Sequence, residues 1–231
     1  PLRHSSAASD VYKRQIGISG GIDSAVTSTL SAKTGLKTIV ANMPILDHKI
    51  TNDRGMSHIH WLKENFENVE DLKIDLSDVF KNFKSALNKN NSEHGYANSQ
   101  ARIRMATLYQ IAASNNGIVV GTGNKVEDFG IGFYTKYGDG GVDISPIADC
   151  LKTEIWDMGK ELMINQDIID AAPTDGLWSD GRSDEDQVGL NYAEIEEAMI
   201  NENSSNRDKY LEIRKNNVHK MNPIPVCILP K

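Results

Sequence analysis

Ser19, Gly20, Gly21, Asp23 and Ser24 fall where a short apolar stretch, Ile16-Gly17-Ile18, gives way to a helical pattern. Two adjacent glycines can adopt positive φ and bring backbone N–H groups close to an anion, and the unpaired amides of a helix start add partial positive charge. Ser19 and Ser24 supply hydroxyl donors. A carboxylate at 23 would repel a phosphate unless a hard divalent cation lay between them, so its presence points to magnesium. The loop lacks the lysine of the G-x-x-x-x-G-K-[ST] phosphate loop and is a different device for the same anion. Read without chemistry, the same residues make a Gly-Gly turn with Asp23 and Ser24 as helix starters.

The surrounding pattern predicts the elements that position this loop. Residues 23–34 have helical spacing and stop at Gly35, and residues 37–43 read as a buried strand. Asn52 is placed to cap a helix over 53–65, residues 72–75 form a short strand, and 77–88 is another amphipathic helix. A polar loop over 88–98 leads to a helix over 100–114, and a strand over 117–120. Alternation of this kind predicts an α/β fold, a three-layer, Rossmann-like parallel sheet with helices on both faces. The loops after Ile18, Val40 and Val120 then converge on one crevice. Beyond it, 136–146 is a glycine-rich loop, 152–163 is helical, 173–186 reads as a mobile lid that orders over ATP, and 192–200 and 207–217 are helical. Residues 1–15 read as a foreign or frayed segment, and 16–231 as a single domain.

With 231 residues the chain can bury roughly 70% of its unfolded surface in one core. No apolar run approaches the roughly 20 residues of a membrane helix. Cys150 and Cys227 have no metal-ligand or C-x-x-C spacing, which suits the reducing cytoplasm. A formal charge of -7 excludes a broad nucleic-acid surface but leaves room for a local cationic pocket.

The Ser19-Gly20-Gly21-x-Asp23-Ser24 signature resembles that of the adenylate-forming ATP pyrophosphatases, the adenine nucleotide alpha-hydrolase-like superfamily. Within it the chain most resembles ammonia-dependent NAD synthetase, through Gln100-Ala101-Arg102-Ile103-Arg104-Met105, Gly121-Thr122-Gly123-Asn124-Lys125-Val126-Glu127, the block from Phe133 to Asp143, and Asp184-Glu185-Asp186-Gln187-Val188-Gly189. The resemblance implies ATP-dependent amidation of nicotinic acid adenine dinucleotide (deamido-NAD) through an acyl-adenylate, with ammonia as nitrogen donor and AMP and pyrophosphate released. It implies ATP contacts from Gly17, Ile18, Ser19, Gly20, Gly21, Ile22, Asp23, Ser24, Thr122, Lys152 and Thr174. Arg102, Lys136, Asp143, His219 and Lys220 match positions that contact the dinucleotide. Asp23 and Glu127 are the expected magnesium ligands, and with Lys152 the expected catalytic set. Arg104 is left as a structural ion-pair partner. The resemblance further implies a homodimer, with no nucleic-acid or membrane partner. No cysteine-nucleophile amidohydrolase domain precedes the loop, so free ammonia, or ammonia from a separate protein, is the expected donor. His58 and His60, at i and i+2, lack ligand spacing and read as surface or packing residues.

Two other readings share the loop. A GMP synthetase or a tRNA-thiolating enzyme would use the same ATP chemistry on another acceptor, although thiolation favours reactive cysteines and a basic surface that this chain lacks. A non-catalytic nucleotide sensor would need neither Glu127 nor Lys152.

Overall fold

A computed structural model describes residues 13–45, 49–178 and 182–229 of the protein. Four strands form one parallel sheet in the order β3-β2-β1-β4: β1 Lys13–Gly17, β2 Thr38–Asn42, β3 Val69–Lys73 and β4 Gly117–Val119. Register pairs Ile16 with Val40 and Val40 with Asp71, while Gln15 pairs with Ile39 and with Val119. The chain moves outward from β1 through β2 to β3, then returns to the other side of β1 to lay down β4. The direction of winding therefore reverses between β1 and β4, which places a ligand crevice beyond their carboxyl ends.

Residues on successive positions of each strand point to opposite faces, and two hydrophobic clusters record this. Ile39, Ala41, Met43 and Val119 pack with Phe80 of α3 (Ser77–Leu87) and with Met105, Leu108, Ile111 and Ala112 of α4 (Glu93–Ser114). Ile16, Ile18, Val40 and Val120 pack with Ala32 of α1 (Ile22–Lys33) and with Ile59 and Leu62 of α2 (Lys49–Asn65). Helices thus cover both faces, as the alternation predicts.

The remaining helices are α5 Lys152–Glu161, α6 Gln166–Ile169, α7 Asp184–Val188, α8 Tyr192–Ile200 and α9 Arg207–Met221. α5 and α6 extend the core at α1 through Ile22, Val26, Ile155 and Ile168. α8 and α9 pack on a π-helical segment, Lys125–Ile131, through Ile131, Tyr192, Ile195 and Tyr210.

Several boundaries differ from the sequence expectation. Lys13, Arg14 and Gln15, assigned to the frayed segment, are the first three residues of β1. Residues 1–12 lie outside the described residues. α2 begins at Lys49 rather than 53, β3 lies at Val69–Lys73 rather than 72–75, and α9 runs on to Met221. The polar loop over 88–98 is shorter than expected because Ser92 accepts a hydrogen bond from the Gly95 amide at 3.3 Å and starts α4 at Glu93. α1 is rich in Ser and Thr, whose hydroxyls turn back on the backbone, Ser28 at 3.1 Å and Thr29 at 2.7 Å from the Ala25 carbonyl. Its stability comes from burial on nearly every side rather than from helix propensity.

Beneath α1, His58 is almost wholly buried, with Nε2 at 3.0 Å from the Ser28 hydroxyl. Ser28 donates to Ala25, so it accepts from His58, and Nε2 carries the proton. Burial pushes the imidazole down to about 4. On acidification the unfolded chain takes up the proton first, so stability is full above about pH 6.5 and is lost as pH falls toward 4, by roughly 3 kcal/mol. Urea unfolding of the His58→Gln variant should show a flatter pH dependence across that interval than the parent; equal slopes would contradict the assignment.

Candidate active site

The loop after β1 carries its backbone in a conformation that only glycine supplies. Gly20 has φ +87°, and a Cβ there would collide with the Thr51 carbonyl oxygen at the start of α2. The two serines hold the turn from inside. Ser24 donates from Oγ to the Gly21 carbonyl at 3.0 Å and lies 3.1 Å from the Ser19 hydroxyl, which accepts from the Gly21 amide at 3.2 Å. No side chain caps the first turn of α1. The loop is therefore pre-shaped, with a helix start whose amides have no capping side chain competing for them.

Across the crevice, β4 leads into Gly121-Thr122-Gly123-Asn124. Asn124 is fully buried and accepts from the amides of Val126 and Glu127, both at 3.0 Å, which starts the π-helical segment and fixes Glu127. Its side-chain amide donates to Asp23 Oδ1 at 2.9 Å. One asparagine thus ties the loop after β4 to the helix after β1. π-helical segments inside folds are frequently functional, and this one carries Glu127.

Lys152, the first residue of α5, enters from a third direction. Its ammonium donates to Asp23 Oδ2 at 2.6 Å and to Glu127 Oε1 at 2.8 Å, and the side chain is only 2% exposed. The family resemblance implies a lysine that faces an ATP phosphate. The structure gives a buried lysine whose anions are the protein's own carboxylates. Burial opposes its charge, but Asp23 and Glu127 outweigh burial and hold it above the ordinary lysine value. Burial pushes both carboxyls up. For Glu127 the ammonium and the hydrogen bonds prevail and the net direction is down; for Asp23, which also feels the Glu127 charge, it stays up.

Two further contacts fix the trio. Tyr192, at the start of α8, places its hydroxyl 2.6 Å from Glu127 Oε1 and lays its ring 4.8 Å from the Lys152 ammonium. Glu196, buried on the same helix, accepts from the Thr153 amide at 3.0 Å and from the Thr153 hydroxyl at 2.7 Å, satisfying the start of α5 beside Lys152. Asn124, Tyr192 and Glu196 were not foreseen. An asparagine followed by a helical pattern signals a cap, but nothing in the sequence announces that a tyrosine and a glutamate 65 and 43 residues distant would reach Glu127 and Thr153.

Most of the expected dinucleotide contacts gather in a second group. Arg102 donates to the Lys136 carbonyl at 3.2 Å, Lys136 donates to the His219 carbonyl at 3.0 Å, and Lys220 donates to the carbonyls of Gly132 and Tyr134, both at 2.9 Å. The fold brings these residues together. Asp143, by contrast, accepts from the Val119 amide at 2.8 Å and from the Tyr109 hydroxyl at 3.1 Å, so it completes the sheet end beside β4. Among the described residues Arg104 makes no ion-pair contact with a carboxylate: it donates to the Met43 carbonyl at 3.0 Å, and burial pushes its guanidinium down to about 10, with the Asp139 charge opposing only in part. Thr174 donates to the Arg182 carbonyl at 3.1 Å and accepts from the Gly176 amide at 3.2 Å within the segment expected to form a lid. Residues 179–181 of that segment lie outside the described residues.

The chain matches the family described as NAD synthase over residues 2–224. It belongs to the NAD synthase family. An NH(3)-dependent NAD(+) synthetase of Methanosarcina acetivorans is 33% identical over 230 residues, covering 96% of this chain and 87% of that protein. The solved NMN synthetase of Francisella tularensis superposes with TM-score 0.86 at 31% identity, over 98% of this chain and 92% of that one. The NH3-dependent NAD synthetase of Campylobacter jejuni, solved with nitrate, has TM-score 0.74 at 24% identity, over 94% and 90%, and shares the fold. Membership sets aside the GMP synthetase and tRNA-thiolating alternatives. Among the described residues no helix is long and apolar enough to cross a membrane.

Removing the cation from between two buried carboxylates leaves like charges facing each other, which costs about 3–5 kcal/mol. In magnesium-free buffer Lys152→Ala should lose stability on that scale by urea unfolding. Lys160→Ala, which removes an exposed pair with Asp157, should change it by less than about 0.5 kcal/mol. Similar losses for both would mean that the buried trio carries no special energy.

Proposed function

We propose that this member of the NAD synthase family is a carbon–nitrogen ligase that amidates nicotinic acid adenine dinucleotide with ammonia, cleaving ATP to AMP and pyrophosphate. The observation that carries the reading is the convergence of Asp23, Glu127 and Lys152 on one point beside a glycine loop shaped for phosphate.

Turning a carboxylate into an amide needs a leaving group better than oxide, and an acyl-adenylate provides AMP. Its formation gathers negative charge on the α and β phosphates, so positioning and electrostatic stabilisation matter more than a protein nucleophile. Gly17, Ile18 and the turn from Ser19 to Ser24 bind the phosphates through backbone amides and hydroxyls. Thr122 and Thr174 complete the ATP contacts, and Lys152 turns its charge from carboxylates to phosphate as ATP arrives. Arg102, Lys136, His219 and Lys220 hold the dinucleotide, with Asp143 at the rim.

The residues present fit magnesium. Asp23 and Glu127 are hard oxygen donors, and their joint grip on one ammonium supports a reading in which both would hold one cation. Magnesium commonly takes one or two carboxylates and fills its octahedron with water and phosphate oxygens, which these two carboxylates would suit. When bound, magnesium would offset charge on the phosphates.

The Francisella likeness favours a second reading in which the acid amidated is the mononucleotide. Subunit association as a homodimer belongs to the same family reading. Apolar side chains exposed near the C-terminus, Ile224, Val226, Ile228 and Leu229, support such an association.

The decisive test supplies ATP, magnesium and ammonium with either nicotinic acid adenine dinucleotide or nicotinic acid mononucleotide, and identifies products by mass. The expected result is NAD with equimolar AMP. Product from the mononucleotide alone would move the assignment to the second reading. Asp23→Ala and Glu127→Ala should each lower turnover about a hundredfold or more, whereas a nucleotide sensor would release no AMP in any variant.

A further inference from the structure

Tyr192 places one hydroxyl between two carboxyl groups. Glu127 Oε1 lies at 2.6 Å and Asp184 Oδ2 at 3.2 Å. A phenol has one proton to give. A phenol keeps that proton at neutral pH, so it stays on the ring oxygen. It points to Glu127, the nearer partner. The remaining contact, Tyr192 to Asp184, would then join two lone pairs at hydrogen-bond distance inside the protein, unless Asp184 itself carries a proton and donates it.

The surroundings of Asp184 agree. The residue is 6% exposed, and among the described residues its Oδ1 has no partner. Glu127 faces it from the π-helical segment, Lys152 from α5, Tyr192 from α8 and Asp175 from its own connecting segment. Burial, then the Glu127 charge, push the carboxyl up to about 7, and Lys152 only partly opposes them. An ionised Asp184 would add a charge to a cluster that already holds Asp23 and Glu127 against a single lysine.

Resting on the amidation reading for its catalytic consequence, we propose that Asp184 is a positioning residue. As a neutral acid it donates to the Tyr192 oxygen, which commits the tyrosine proton to Glu127 and holds that carboxylate aimed at the cation point. Loss of the Asp184 proton would draw the tyrosine proton away and release Glu127. The unit is a row of donors, Asp184 to Tyr192 to Glu127, with Lys152 closing the far end.

Infrared spectroscopy tests the protonation directly, without any turnover. The difference between the parent protein and Asp184→Asn at pH 5.5 should contain one protonated-carboxyl carbonyl band, and that band should fade as the pH is raised through about 7. Asp128 and Asp139, which burial pushes up to about 8 and about 6, are present in both proteins and cancel. In steady-state assays Asp184→Asn, which keeps a neutral donor, should stay within about threefold of the parent kcat, and Asp184→Ala should lose about tenfold or more. The parent should lose activity as the pH rises through the band's midpoint, and Asp184→Asn should lack that limb. Absence of the band at pH 5.5, or an Asp184→Asn as impaired as Asp184→Ala, would overturn the proposal. If Asp184→Ala fails to fold, the band still decides. If the protein proves not to amidate either nicotinate nucleotide, the band is unaffected, so the two failures remain distinct.

Discussion

A lysine ammonium withdrawn from water and gripped by two carboxylates is the interaction on which the rest of this structure turns. Each of the three charges would be costly to bury alone. Together, with Asn124 on Asp23 and Tyr192 on Glu127, every charge has a counter-charge and a hydrogen bond. The arrangement keeps two acidic groups close to each other around one ammonium. Its three members come from the segments after β1, after β4 and at the start of α5, so the trio is also the knot that binds those segments to one another.

The sheet makes this meeting possible. Because β4 pairs directly with β1, the segments leaving their ends emerge side by side, and Asn124 can reach Asp23 although 101 residues separate them. The hydrophobic clusters on the two faces fix the strands and the helices that follow them, and burial of each large apolar side chain contributes about 1.5–3 kcal/mol. That rigidity is what holds carboxylates within the fractions of an ångström that charge-assisted hydrogen bonds demand.

How much of this could be read from the chain depends on how local the signal is. The glycine loop and the alternation of strands and helices lie in short runs whose residue types speak for themselves, whereas Glu127 and Lys152 were singled out through the family resemblance, and the structure brings both to Asp23. Helix starts were less legible. Ser92 begins α4 inside a polar stretch that looks like a loop, and Asn52, a good cap by type, sits inside α2 instead. Residues serving the site through long-range contacts gave no sign. Tyr192 and Glu196 sit in an ordinary amphipathic run, and Asp143 resembles a loop acid until the Val119 amide is seen to need it. Such roles depend on which strand pairs with which, and spacing along the chain does not encode that.

Glu196 has a consequence for how the protein comes to exist. The helix that presents Lys152 is held at its first turn by a carboxylate that the ribosome adds 43 residues after Thr153, and Tyr192 likewise arrives long after Glu127. A nascent chain that has emerged only as far as α6 already owns the four strands seen among the described residues, yet lacks the clamps that settle its buried lysine. The sheet is complete early in synthesis, and the charged centre matures late.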